Sequence, residues 1–429
     1  MYMTKEEPKL DDNGKEVEGE YDEIRTLTTL NSMIPLWKKN KNDVTDEALD
    51  DFYMQKFYDF EKPMLHLMFN VEGSVNYNTL LFIPNLPPRN LHSVDYEKGL
   101  QLYSKGVFIM DKCKELIPDY LRFVKGVVDS SDLSLNISRE MLQQNKVLNL
   151  MQKNIEKKII NRLALLQKED FDKYLTFFKN YGINLKFGAY ENYGAKKELL
   201  QDLLIYSSVN SDKMITFKEY VEQMKENQKD IYYASGKSKE EILSMPQMDI
   251  VKKYGYDVLI LTDDVDEFLL KILNKYNDHE FKSINQSALD DLTTEEEKEK
   301  LEEQQKDHQD LLKALKEALK DEVKDVILSK RLVDSPVCLV SGDGVSFEME
   351  KVIEAMPTND KIKAERILEI NPNHELFHAL NQLYEQNPDD IKDYATLLYN
   401  QALLMEGFKL NNSVAFSNLM CKLMIKSIK

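Results

Sequence analysis

The hydrophobic pattern changes its period part-way along the chain, and this change constrains the fold more than any other feature. In the first third, apolar residues come in short runs closed by turn-formers. Residues 64–71 and 79–83 are bounded by Gly73, Asn78 and Pro84, and the stretches at 102–110 and 121–124 follow the same form. Such runs read as strands of one sheet, with Pro87-Pro88 in a loop between two of them. From Ser138 the spacing differs. Leu148, Met151, Ile155, Ile159, Leu163 and Leu166 step by threes and fours, which keeps one helix face apolar and predicts a long helix over about 138–167. A chain carrying both periods must layer helices on sheets, so the fold class is multidomain α/β (α+β).

A second α/β unit follows, with helices predicted at 170–181 and 196–204 and strands at 231–233 and 258–261. The last of these strands leads directly into a helix at 266–270. Residues 283–305 are polar and heavily charged. There Thr294 and Glu297 form a capping box, opening a helix whose apolar stripe runs through Leu312, Leu315, Leu319, Val323 and Val326. The expected division is a charged linker over 1–22, a region 23–282 and a last α+β domain over 283–429. The middle region splits into a large subdomain (23–150) and connecting helices with a small α/β subdomain (151–282). Lys, Glu, Asp and Gly with almost no apolar period make the opening read as a linker, which suggests that something precedes it.

Composition narrows the function classes. With 429 residues, 42% hydrophobic and 10% aromatic, the chain can bury several cores. A net charge of −18 weighs against nucleic-acid or anionic-membrane partners, which need basic surface. No apolar run reaches the roughly 20 residues needed to cross a bilayer. Cys113, Cys338 and Cys421 are distant and odd in number, which fits reduced thiols in a cytoplasmic protein and leaves no thiolate metal cluster.

His374-Glu375-Leu376-Phe377-His378 is a literal H-E-x-x-H, which on a helix would set two imidazoles on one face beside a glutamate base, as in a zinc peptidase. Its context opposes this. Asn371 and Pro372 look like the N-cap and first residue of the helix, a strand at 367–370 feeds into it, and Glu406 is the one candidate for a third ligand. Two surface histidines with no metal are the expected reading. No phosphate-cradling glycine loop and no nucleophile elbow occurs, and Gly342–Ser346 is a turn.

The segment 128–144 reads as a strand, an extended loop and a helix capped by Ser138. Arg139 stands in the first turn and Gln143 four residues on, over the same face. Such an arginine can aim a permanently charged guanidinium at a phosphate, or pair locally with Asp132. The segment resembles the catalytic loop of the ninety-kilodalton heat-shock chaperone family in its bacterial form. The resemblance extends through Pro35-Leu36-Trp37-Lys38-Lys39-Asn40-Lys41, Gly106-Val107-Phe108-Ile109-Met110-Asp111, Leu116-Ile117-Pro118-Asp119-Tyr120-Leu121 and Phe123-Val124-Lys125-Gly126. It continues in Asp334-Ser335-Pro336 and Leu368-Glu369-Ile370-Asn371-Pro372-Asn373-His374.

That resemblance implies a middle domain and a C-terminal dimerisation domain of a stress-response chaperone, without the family's N-terminal ATP-binding domain. It implies ATP and Mg as cofactors of the intact protein, with neither bound to this chain and no ATP hydrolysis by it alone. It casts Arg139 as the contact to the terminal phosphate and Gln143 as its support. The family commonly has an arginine where this chain has Gly106, so a second cationic contact falls to Lys105 or is lost.

Two further surfaces are expected. Val345, Met349, Val352, Ile353 and Met356 make one helix face, either core or binding surface. The resemblance implies that this helix and Phe268 touch unfolded clients. Near the chain end, Ile391, Tyr394, Ala395, Leu398, Ala402 and Met405 form one stripe and Phe416, Leu419, Met420 and Leu423 another. Pairing with a twofold mate would bury both in a four-helix bundle, and docking on their own domain is the alternative. A passive dimeric scaffold is the rival to an ATP-driven chaperone.

Overall fold

The computed structural model describes residues 2–10, 16–27, 34–133, 146–287, 294–357 and 362–428, and the side chains among them from residue 34 onward. The chain divides into two compact units, Met1–Arg162 and Leu163–Lys429.

The first unit opens with strands β1 (Tyr2–Leu10) and β2 (Glu16–Leu27), antiparallel from Tyr2↔Leu27 to Leu10↔Glu16. The expected linker is therefore a two-stranded ribbon. Its charged composition hid the ribbon, and the overlooked cue is Asn13-Gly14, a hairpin-turn signature between the two strands. Helix α1 (Asp46–Phe57) is capped by Thr45, whose side chain accepts from Ala48 N, and it ends at Tyr58 with φ +53°. It packs on a five-stranded sheet of β3 (Leu65–Val71), β4 (Tyr77–Ile83), β5 (Leu100–Ser104), β6 (Val107–Cys113) and β7 (Lys125–Ser130), in the order β3-β4-β7-β5-β6. Only β5 and β7 run parallel. Trp37, Leu49, Tyr53, Leu80, Phe82, Tyr103 and Val127 form the core between helix and sheet.

Residues 121–124 are not a strand. Pro118 opens a single 3-10 turn over Asp119–Leu121, Val124 N donates to Leu121 O, and β7 starts one residue later. Leu121 and Phe123 are fully buried, so the apolar run marks burial rather than extension. Helix α2 (Lys146–Glu169) buries all six residues of the predicted stripe, from Leu148 to Leu166.

In the second unit, α3 (Phe171–Gly194) is interrupted at Glu191–Tyr193. The predicted helix at 196–204 is α4 (Lys197–Leu200) followed by a 3-10 turn over Gln201–Leu203. A six-stranded sheet comprises β8 (Ile205–Ser208), β9 (Ile215–Thr216), β10 (Ile231–Ser235), β11 (Leu259–Leu261), β12 (Lys275–Tyr276) and β13 (His279–Ser283), ordered β12-β13-β10-β11-β8-β9. Helices α5 (Phe217–Gln223), α6 (Lys239–Leu243), α7 (Met248–Tyr254) and α8 (Asp266–Leu273) accompany it.

The remainder holds α9 (Glu295–Asp307), α10 (Gln309–Ala318), β14 (Asp325–Leu328), β15 (Val337–Ser341), α11 (Phe347–Ala355), β16 (Arg366–Ile370), α12 (Glu375–Gln386), α13 (Ile391–Met405) and α14 (Ser413–Ile428). Its sheet runs β14-β16-β15. The stripe expected on one helix after Thr294 is shared among elements. Leu312 and Leu315 lie on α10, Leu319 caps it, and Val326 is in β14, yet all enter one core with Leu339, Phe347, Leu368 and Phe377.

Candidate functional site

Arg139, Gln143 and the Ser138 cap lie outside the described residues, but the base from which their segment departs is defined. Strand β7 brings Asp129 into the interior, where it is 2% exposed. Three donors converge on its carboxylate. Trp37 Nε1 reaches Oδ2 at 3.1 Å, Lys38 Nζ reaches Oδ2 at 2.9 Å, and the Gly106 amide reaches Oδ1 at 2.9 Å. A buried charge is tolerated only when paired and hydrogen-bonded, and here it is both. Lys105 and Gly106 form the two-residue turn between β5 and β6, with φ of +51° and +84°, as the primed hairpin turns require.

The strand's exit is also tied down. Ser104 Oγ donates to Leu133 O at 2.7 Å, and the Lys105 amide donates to Ser130 O at 3.1 Å. The Asn76 amide, donating to Asp132 Oδ2 at 2.7 Å, holds that carboxyl below its ordinary range, with help from the Asn76 side chain, Ser131 and Lys105. Asp132, the local partner considered for Arg139, is thus already engaged. The cation standing at Gly106 is Lys38, since a β-carbon at 106 would lie 3.2 Å from its ammonium. Sequence reasoning quoted Lys38 only within a motif and missed Asp129. The two are far apart in the chain and are joined only by the sheet.

These residues do not by themselves fit a nucleotide. The Lys38 ammonium is neutralised by Asp129, and a phosphate placed against it would face that carboxylate. Among the described residues no cluster of three carboxylate, imidazole or thiol groups is disposed to hold a metal.

In the second unit, Phe268 on α8 is half-buried and meets Tyr190 edge-on at 6.3 Å between ring centroids. Val345 precedes α11. Ser346 caps that helix by accepting from Met349 N, and it donates to the buried Glu267 of α8. Met349, Val352 and Ile353 are half-buried and Met356 is 45% exposed, while the buried face of α11 is Phe347 and Glu350. Met349 and Val352 line a cleft of about 220 Å³ with Glu267, Glu348 and Leu261. Burial raises the Glu267 carboxyl to about 7.

The H-E-x-x-H geometry is not realised. His374 is itself the N-cap of α12, its Nδ1 accepting from Leu376 N at 3.0 Å, so the helix begins at Glu375 and not at Pro372. Asn371 is instead buried, its side-chain amide donating to Val333 O and Ser335 O. Glu406 is buried and accepts from Gln247 Nε2.

The expected dimer residues separate into two groups. Ile391, Leu398 and Ala402 of α13 are buried in the chain's own core, Tyr394 packs against it half-buried, and Met405 is half-buried. That stripe docks on its own domain, because the α10–β15 layer would otherwise be open on that side. On α14, Leu423 is buried and Phe416 and Leu419 are half-buried. Met420 of the same stripe is exposed, and further uncovered apolar surface lies at Val414, Met424, Ile425 and Ile428 of α14 and at Leu404 of α13. No helix among the described residues is long and apolar enough to cross a membrane.

The molecule is thus a multidomain α/β protein whose loop-bearing sheet ends in an anchored carboxylate and whose last helix leaves an apolar face open. Residues 3–429 match the family described as Hsp90 protein, and the chain belongs to that family. It is 47% identical over 408 residues to the chaperone protein HtpG of Bacillus subtilis (strain 168), covering 95% of this chain and 65% of that protein. Its identity to the HtpG of Alkaliphilus oremlandii is 48% over 408 residues, again 65% of that protein. For the HtpG of Clostridium botulinum (strain Langeland) it is 47% over 424 residues, or 99% of this chain and 67% of that protein. The chain thus spans about 65% of the length of the first two relatives.

Proposed function

We propose that this chain forms the client-binding and dimerising part of a molecular chaperone, and that its Arg139, supported by Gln143, completes an ATP site carried on another domain. The observation that carries this reading is the family match over residues 3–429, with relatives named as chaperones near 47% identity. The anchored foot at Asp129 and Asp132 supports it, because a guanidinium serves a phosphate only if the backbone beneath it is fixed. ATP with Mg would supply the phosphoryl chemistry. Arg139 would neutralise charge at the terminal phosphate, and Gln143 would hold the arginine in place.

Client contacts are assigned to Phe268, Val345, Met349, Val352, Ile353 and Met356. The half-exposed thioethers and aliphatic groups of α11 suit adaptable apolar contacts. A homodimer through the last helix accounts for the open apolar face of α14.

One experiment joins the chain to the N-terminal portion of the Bacillus relative and measures ATP turnover and suppression of client aggregation. The chain alone is expected to be inactive. Arg139→Ala should lower turnover at least about tenfold with folding unchanged, and Phe268→Ala with Met349→Ser should weaken suppression. Full turnover in the Arg139→Ala protein would favour the passive dimeric scaffold.

A further inference from the structure

The last domain carries a groove that neither the loop, the α11 face nor the α14 face uses. Helices α9 and α10 form one wall and β14 the other, enclosing about 870 Å³ over a floor that includes Leu301, Leu312, Val326 and Leu328. Past Leu301 and Lys330 it continues into a second depression of about 470 Å³ that reaches Ile250, Leu332 and Val333.

Three observations indicate its occupant. The first is main-chain. Among the described residues β14 pairs with β16 alone, so its other side is an edge without a strand partner; the Val326 amide donates to Asp325 Oδ1 at 2.9 Å, a local bond that an added strand would have to displace. Such an edge is a template for an added strand. The second is charge. Lys298, Lys306, Lys313, Lys316 and Lys330 line the groove against Glu302 and Asp325, in a chain of net charge −18. Lys316 is paired with Asp325 at 3.1 Å, but Lys306 and Lys313 are exposed and have no ion pair among the described residues. The third is packing. Helix α9 buries no side chain, and its one apolar residue, Leu301, is half-exposed over the groove. The helix is held at its start instead, by the Thr294–Glu297 capping box and by Lys253 and Tyr254 bonding Glu297 at 2.9 and 3.0 Å. Helices normally owe their stability to a packed apolar face, and this one has only Leu301, which touches the core from one side and stays half-exposed on the other.

We propose that the groove docks an extended acidic segment of a partner protein, which adds a strand to β14. Its carboxylates meet the lysine rim, and its alternate apolar side chains rest on Leu301, Leu312 and Leu328. Period-two alternation is what a strand between a charged rim and an apolar floor requires. A nucleic acid would use the lysines but neither the edge nor the floor, and the chain's overall charge would repel it.

The test titrates the full chain into a fluorescently labelled short peptide of alternating acidic and β-branched residues and reads anisotropy. Saturable binding is expected. Lys306→Glu combined with Lys313→Glu should weaken it about tenfold with unchanged circular dichroism, both side chains being exposed. N-methylation of alternate peptide amides should abolish it, because strand addition needs those donors. Binding that survives N-methylation, competition by an oligothymidylate of equal charge, or no saturation would each overturn the proposal.

Discussion

Helices α13 and α14 are neighbours at the end of the chain, both amphipathic, and their fates are opposite. The first buries Ile391, Ala395, Leu398, Tyr399, Ala402 and Leu403, whereas the second buries Leu423 alone and leaves Met424, Ile425 and Ile428 in solvent. Ion pairs from Lys422 to Asp393 and from Lys426 to Asp390 hold the two together. Apolar periodicity reports that a face exists, while the surrounding domain decides what covers it. For α13 that cover is the core formed with α10, β15 and β16; for α14 most of the face remains uncovered.

The contrast can be broken most directly at Leu398. Leu398→Ala should cost about 2–5 kcal/mol in denaturant unfolding, the range for an aliphatic side chain removed from a packed core. An unchanged midpoint would mean that α13 is not a core helix.

A smaller effect is expected at Glu406, which ends α13. Burial pushes its carboxyl up to about 7, against the attraction of Lys351 and the Gln247 hydrogen bond. The folded state therefore holds the proton more tightly than the unfolded one. Stability should fall as pH rises from about 4.5 to about 7 and level off above. Glu406→Gln should remove roughly 1–3 kcal/mol of that fall. Some slope will remain, because Glu267 is raised to about 7 as well. Equal slopes in the two proteins would refute the assignment.

The smallest effect on stability belongs to α14. Met424→Lys with Ile425→Lys should move the unfolding midpoint of dilute protein by no more than about 0.5 kcal/mol, since both side chains are exposed. The same pair should convert the proposed dimer to a monomer in sedimentation at micromolar concentration. A dimer that persists would place the interface elsewhere.

The sequence made the larger elements legible where chemistry at their ends was strong. Gly73 and Pro84 delimit β3 and β4, and the Thr294–Glu297 box opens α9 as its spacing implied. Legibility failed where elements are too short to show a period, as in β9 and β12 at two residues each. It failed again where burial came without regular structure, at Leu121 and Phe123. At the site, the family resemblance pointed to Arg139, where spacing alone left local pairing with Asp132 open, and nothing local could reveal Asp129 as the anchor. Trp37, Lys38 and Gly106 reach it only after α1 and five strands have folded around it. His374 failed differently: its imidazole serves as a cap, a role usually filled by Ser, Thr, Asp or Asn.

The Lys105–Gly106 turn limits how this corner can change. Both residues occupy left-handed backbone, and a β-carbon at 106 would lie 3.2 Å from the Lys38 ammonium. An arginine at 106 would strain the hairpin at a φ of +84° and would set a second cation beside Lys38. The charge at this corner is therefore balanced one to one, a single ammonium on a single buried carboxylate, and a second cation placed there would find no unmatched anion among the described residues.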